Sequence, residues 1–134
     1  MITAETLNGH PCRVLVVEDE ALIAMLVEDM IHDSGGEMVG SAGKLTDAID
    51  LARNAQADVA LLDLNLGGAL TYPVADVLRE RGVPIVFTSG YGSAALIQRF
   101  QDCPILDKPF DQRSLEQAIG TALRSGAGST DLAA

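Results

Sequence analysis

Positive charge is scarce in this chain. Nine Lys and Arg stand against 19 Asp and Glu, a formal net charge of −10 at pH 7. Such a surface repels nucleic-acid phosphates and anionic lipid, so neither is an expected partner. Cysteine occurs only as Cys12 and Cys103, with no CxxC and no metal spacing. The two thiols read as reduced, packed residues, not as a disulfide or zinc framework. No apolar run approaches the ~20 residues that span a bilayer. Residues 1–11 lack the basic and apolar regions of a signal peptide. The expectation is a soluble, cytoplasmic protein. What is plentiful is apolar side chain, 48% of 134 residues, enough for one domain with its own core.

Short β-branched runs alternate with helical patterns along the chain. RVLVV at 13–17 reads as a buried strand that stops at Glu18 and Asp19. In 20–33, Leu22, Leu26 and Met30 recur beside Ile23, Val27 and Ile31, which predicts a helix with a wide apolar face, ended by Gly35 and Gly36. EMVGSA at 37–42 is a weaker strand. A helix follows, with Thr46 or a neighbour as its cap and Ala48, Leu51, Ala52 and Ala55 on one face. DVALL at 58–62 is a buried strand ending at Asp63. Gly67 and Gly68 form a loop into a helix over 72–81, with Pro73 in its first turn. IVFT at 85–88 is strongly β-type, and the glycines of SGYG at 89–92 free the backbone. Residues 93–101 carry a thin helical pattern through Leu96 and Phe100, so this fourth helix is expected to be irregular. Residues 104–106 form a short strand, and Asp111 caps a last helix through Leu115, Ile119 and Leu123. The pattern predicts an α/β fold, a five-stranded parallel sheet with helices on both faces. In such sheets, function collects in the loops outside the carboxyl ends of the strands.

Those ends carry Glu18 and Asp19, then Asp63, then Thr88 and Ser89, then Lys108. Any single polar residue there is an ordinary turn or cap residue. Together they are a concentrated set. Two carboxylates ~4 Å apart repel by ~4 kcal/mol at an effective dielectric near 20, a repulsion that a hard divalent cation offsets. Oxygen ligands without His or Cys favour Mg²⁺, or Mn²⁺, over zinc. Lys108 adds a compact positive charge suited to an anion beside the metal. A carboxylate, a cation, an ammonium and a hydroxyl suit attack on phosphorus, with Asp63 as nucleophile and Glu18 and Asp19 as metal ligands.

VLVVED at 14–19, VALLDLNL at 59–66, IVFTSGYG at 85–92 and ILDKPF at 105–110 resemble the receiver domain of bacterial response regulators. The likeness covers 13–124, with 1–12 as an N-terminal extension and 125–134 as a flexible tail. It implies the flavodoxin-like (βα)5 fold and phosphorylation of Asp63 by a sensor histidine kinase. It also implies a Mg²⁺ site of Asp19, Glu18 (through water), Asp63 and the backbone carbonyl of Asn65. Lys108 would contact the phosphoryl group, and Pro109 would follow a cis peptide. Ser89, followed by Gly90, aligns with the switch hydroxyl, with Thr88 the alternative. FTSGYG further resembles the FAT GUY subgroup, whose members often pair with HWE-type kinases. Many receivers carry an aromatic switch residue where this chain has Ile105; Tyr91, close after the switch, either takes over part of that role or packs against the loop. Only ten residues follow Arg124, so the expectation is a stand-alone response regulator. It would act through a downstream protein or as a phosphate sink, and not as a classical enzyme.

Three readings compete. A phosphatase of the haloacid-dehalogenase type needs a general acid two residues after its nucleophile, where this chain has Asn65. A flavodoxin-like FMN protein needs a phosphate loop where Glu18 and Asp19 would repel the phosphate, and the lack of tryptophan also weakens it. A non-phosphorylated receiver-like binding module is expected to have lost a key residue, and none is missing.

Overall fold

The structure is a computed structural model that describes residues 9–90 and 96–133, with side chains to residue 125. In chain order the elements are β1 (Arg13–Val17), α1 (Ala21–Asp33), β2 (Glu37–Ala42), α2 (Leu45–Asn54), β3 (Val59–Asp63), β4 (Asn65–Leu66) and β5 (Ala69–Leu70). They continue with α3 (Tyr72–Glu80), β6 (Ile85–Ser89), β7 (Ile105–Asp107) and α4 (Gln112–Ala133). Five strands form one parallel sheet in the order β2-β1-β3-β6-β7. Runs such as RVLVV and IVFTS suit it, because central parallel strands are covered on both faces and need no polar alternation. Every residue of β3 and β6 is buried.

Successive side chains along each strand feed two cores. Leu15, Val17, Ala60, Leu62 and Phe87 join Ala48, Ala52, Val74 and Leu78 of α2 and α3. Val14, Val16, Leu61 and Val86 join Val27, Ile31, Leu115 and Ile119 of α1 and α4. The chain leaves β1 for the edge strand β2 and returns to β3 on the other side of β1. The topological switch point therefore lies between β1 and β3. Their carboxyl ends carry Glu18, Asp19 and Asp63.

Several local expectations are corrected. On α1 only one apolar stripe is used. Val27 and Ile31 are buried, whereas Leu22, Met25 and Leu26 are 69, 62 and 51% exposed. A cylinder resting on a flat sheet can bury one face, and α1 carries apolar residues on more than one. Thr46 does not cap α2, which starts at Leu45, two residues earlier than a Thr46 cap would set it, after Lys44 and with no side-chain cap. The Gly67-Gly68 loop is a β4–β5 hairpin, with both glycines at positive φ of 60 and 92°. That is the backbone a tight two-residue turn demands and that glycine adopts at little steric cost. Between β6 and β7 the described residues hold a single 3₁₀ turn, Gln98–Phe100, consistent with an irregular fourth helix. The last helix, capped at Asp111 by an N–H from Ser114 at 2.8 Å, runs to Ala133, beyond the expected end near Arg124.

Candidate functional site

β1 and β3 are neighbours in register, so Glu18 and Asp19 leave the sheet beside Asp63. One carboxylate oxygen from each of Glu18, Asp19 and Asp63 lies within 4.8 Å of the others. Glu18 and Asp63 are buried, 6% exposed each, and Asp19 is exposed. Glu18 Oε2 accepts the Glu20 N–H at 3.0 Å. Asp19 Oδ2 accepts the N–H of Gly67 at 3.1 Å, and Asp63 Oδ1 accepts that of Asn65 at 3.2 Å. An all-oxygen donor set of this kind suits a hard divalent cation.

Lys108 enters from the end of β7, after which the Lys108–Pro109 peptide is cis, as the resemblance implies. Its Nζ lies 2.7 Å from Glu18 Oε1 and 3.0 Å from Asp63 Oδ2. The shorter bond is to Glu18, a partner the sequence did not suggest. Burial pulls the ammonium down, but its bonds to Glu18 and Asp63 outweigh that and hold it above the ordinary lysine value. Glu18 moves the other way for a carboxylate. Burial pushes it above its usual value, and the Lys108 bond offsets only part of that push. The lysine thus sits where it neutralises two carboxylates that would otherwise repel.

The hydroxyls sit at the end of β6. Thr88 is the register partner of Asp63, and Ser89 lies one residue closer to the loop. Both are buried, and the Ser89 carbonyl accepts the backbone N–H of Lys108 at 2.9 Å. Ile105 stands at the start of β7, half-buried, opposite Phe87. Tyr91 lies outside the described residues. Of the expected site, the structure brings together Glu18, Asp19, Asp63 and Lys108, with Asn65 joined through its N–H.

Sequence reasoning missed Thr71. It is fully buried, and its Oγ1 donates to the Asp63 carbonyl at 2.6 Å, with the Leu64 carbonyl at 3.2 Å. It also missed an aromatic cluster beside the site. Tyr72 stacks on Phe100 at 5.7 Å, and both rings meet Phe87 edge-on. The i+4 pattern of the 93–101 segment signalled Phe100, but nothing in the sequence named its partner.

A doubly wound sheet with an acid cluster at its switch point and a lysine bridging it defines a receiver, and the comparisons agree. Residues 14–120 match the response regulator receiver domain, and the chain belongs to that family. It is a receiver domain of two-component signalling, a class that signals and is not classically enzymatic and that binds Mg²⁺ at its acidic site. The chain is 33% identical over 117 residues to the transcriptional regulatory protein PdtaR of Mycobacterium tuberculosis, covering 84% of this chain and 57% of that one. To the phyllosphere-induced regulator PhyR of Methylorubrum extorquens it is 30% identical over 117 residues, covering 82% of this chain and 43% of PhyR. The chain thus spans about half the length of the curated relatives it matches. The solution structure of SdrG from Sphingomonas melonis Fr1 superposes with a TM-score of 0.75 at 36% identity, covering 84% of this chain and 97% of SdrG. The SdrG and PhyR likenesses are consistent with the FAT GUY resemblance. Among the described residues no helix is long and apolar enough to cross a membrane.

Proposed function

We propose that this receiver accepts a phosphoryl group on Asp63 from the phosphohistidine of a sensor histidine kinase. The observation that carries the reading is the convergence of Asp63 with Glu18, Asp19 and Lys108 within hydrogen-bonding or ligating distance at one strand edge. An Asp63 carboxylate oxygen forms the bond to phosphorus as the bond from phosphorus to the donor imidazole nitrogen breaks. The imidazole leaves and takes up a proton from solvent. Glu18, Asp19, Asp63 and the Asn65 carbonyl would hold Mg²⁺, which supplies charge neutralisation for the phosphoryl oxygens. Lys108, kept charged by its two partners, swings part of its bonding from Asp63 to the incoming phosphoryl oxygens. Ser89 donates its hydroxyl to the product, a role supported by its place one residue beyond the register partner of Asp63. Water later hydrolyses the acyl phosphate at the same site.

A protein donor must press close to reach a carboxylate as buried as Asp63. Leu22, Met25 and Leu26 on α1, which begins two residues after Asp19, and Leu70 on the hairpin are exposed apolar side chains available to such a donor. An HWE-type kinase fits the subgroup resemblance, and the phosphorylated form would act on a downstream protein in the cytoplasm. The receiver unit is 13–124, with signalling read out around Tyr91 and Ile105. Incubation with a phosphorylated histidine kinase and Mg²⁺ tests the reading. Wild type should acquire hydroxylamine-sensitive label that EDTA prevents and Asp63→Asn lacks. Equal label on that variant would refute it.

A further inference from the structure

Thr71 stands at the N-cap position of α3, yet its side chain does not cap the helix. A threonine there ordinarily accepts an N–H of the first turn, a bond that stabilises the helix. Here the backbone carbonyl receives the Val74 and Ala75 N–H groups, while the hydroxyl points back as a donor to the carbonyls of Asp63 and Leu64. The Thr71 N–H also donates to the Leu64 carbonyl, at 3.0 Å. A side chain that forgoes its usual local bond in a fully buried position is being used for something else.

The geometry shows what it holds. The Leu64 carbonyl belongs to the planar peptide that also contains the Asn65 N–H. Fixing that carbonyl from one side aims the N–H on the other, and this N–H is the one bonded to Asp63 Oδ1 at 3.2 Å. The same closure holds the base of the β4–β5 hairpin. At the hairpin's tip the Gly67 N–H bonds Asp19 Oδ2, and the Asn65 side chain accepts the Gly68 N–H at 2.8 Å. A Cβ on Gly67 would stand 4.0 Å from Asp19 Oδ2, so the tip lies directly against that carboxylate. One hairpin therefore contacts the carboxylate that ends β3 and one that follows β1, and Thr71 closes it.

We propose that Thr71 is a positioning residue for phosphoryl acceptance: through the Leu64–Asn65 peptide and the hairpin it sets the Asp63 and Asp19 carboxylates in their working orientation. This rests on Asp63 being the phosphoacceptor, and it adds a residue that touches neither phosphate nor cation. Its effect falls on the rate at saturating donor, not on the apparent affinity for the donor, because Asp63 and not the donor's binding surface is misplaced.

The test compares Thr71→Val, which keeps the shape and removes the donor, with Thr71→Ser, which keeps the donor. Phosphoramidate supplies the phosphoryl group in saturating Mg²⁺, well below the melting temperature, and calorimetry reads Mg²⁺ affinity separately. The Val variant should lose about tenfold in maximal phosphorylation rate, a modest loss for a misplaced reacting group. It should also bind Mg²⁺ several-fold more weakly, with the Ser variant within about twofold of wild type on both counts. A Val variant equal to wild type on both counts overturns the proposal. So does a Ser variant as impaired as Val, which would make the methyl group the important part. If the Val variant fails to fold, Thr71→Cys, a weak donor of similar size, takes its place with the same expectations. If wild type itself takes no phosphoryl group, the proposed function fails instead, and the Mg²⁺ titration still decides whether Thr71 sets the carboxylates.

Discussion

Replacing Lys108 by Met should destabilise the metal-free protein and tighten its hold on Mg²⁺. The ammonium is 2.7 Å from Glu18 and 3.0 Å from Asp63, and the two carboxylate side chains are only 5 and 8% exposed. Met preserves the aliphatic stem and leaves both acids without a counter-charge. Oxygens within 4.8 Å of each other repel by ~3 kcal/mol at an effective dielectric near 20. Removing one partner of a buried pair costs ~3–5 kcal/mol, and the partial exposure of the lysine argues for the lower end. For a domain of this size ~3 kcal/mol is a fall of roughly 10 °C in Tm. Lys108 also competes for the oxygens a cation would use, so Mg²⁺ should bind the variant more tightly. An ion present at a hundred times its Kd returns about 2.7 kcal/mol, and a tighter ion returns more at equal concentration. Scanning calorimetry in EDTA and in Mg²⁺ should therefore show a wide gap that narrows by half or more with the ion. Equal melting of the two proteins in EDTA, or an equal gain from Mg²⁺, would refute the bridging role.

Other consequences are accessible to simple assays. Tyr72→Phe removes the hydroxyl that accepts the Ile97 N–H at 3.0 Å, a loss of ~1 kcal/mol. Exchange of the Ile97 amide should accelerate in that variant, and an unchanged rate would show the bond to be idle. The Asp111 carboxylate is held below its ordinary value by the Ser114 backbone and side chain. Its contribution is therefore full above the ordinary Asp range and is lost as pH falls through the depressed value. Asp111→Ala should melt below wild type at neutral pH, with the gap closing in acid; a gap constant with pH would contradict this. Cys12 is fully buried, and burial, then Asp58, pushes its thiol up to about 12. It should react with iodoacetamide only as the protein opens, so labelling at neutral pH as fast as an unfolded control would be inconsistent with the packing.

The sheet was legible because its strands are buried on both faces, so that 13–17, 59–63 and 85–89 appear as unbroken apolar runs. The acid cluster was legible for a related reason: each of its members directly follows such a run. The Glu18–Lys108 bond was not, because it spans 90 residues and depends on which way two long side chains turn. Periodicity gave α1 its helix but could not say which stripe the sheet would take, and Leu22 and Leu26 went to the surface. Gly67-Gly68 between Leu66 and Ala69 carries a hairpin signal, but the strands beside it have only two residues each, too short to show an alternating pattern. Thr71, between the hairpin and α3, carried no signal that spacing could single out. Its actual role depends on the direction of one hydroxyl, which no spacing rule reports.

The central claim is that Asp63 receives the phosphoryl group, and chemical trapping reads this most directly. Borohydride reduces an aspartyl phosphate to homoserine, which marks the residue permanently for peptide mass spectrometry. After phosphoramidate and Mg²⁺, homoserine is expected at position 63, and none when EDTA replaces the ion. Homoserine at another aspartate, or phosphate recovered on Ser89, Thr88 or a histidine with position 63 untouched, would contradict it.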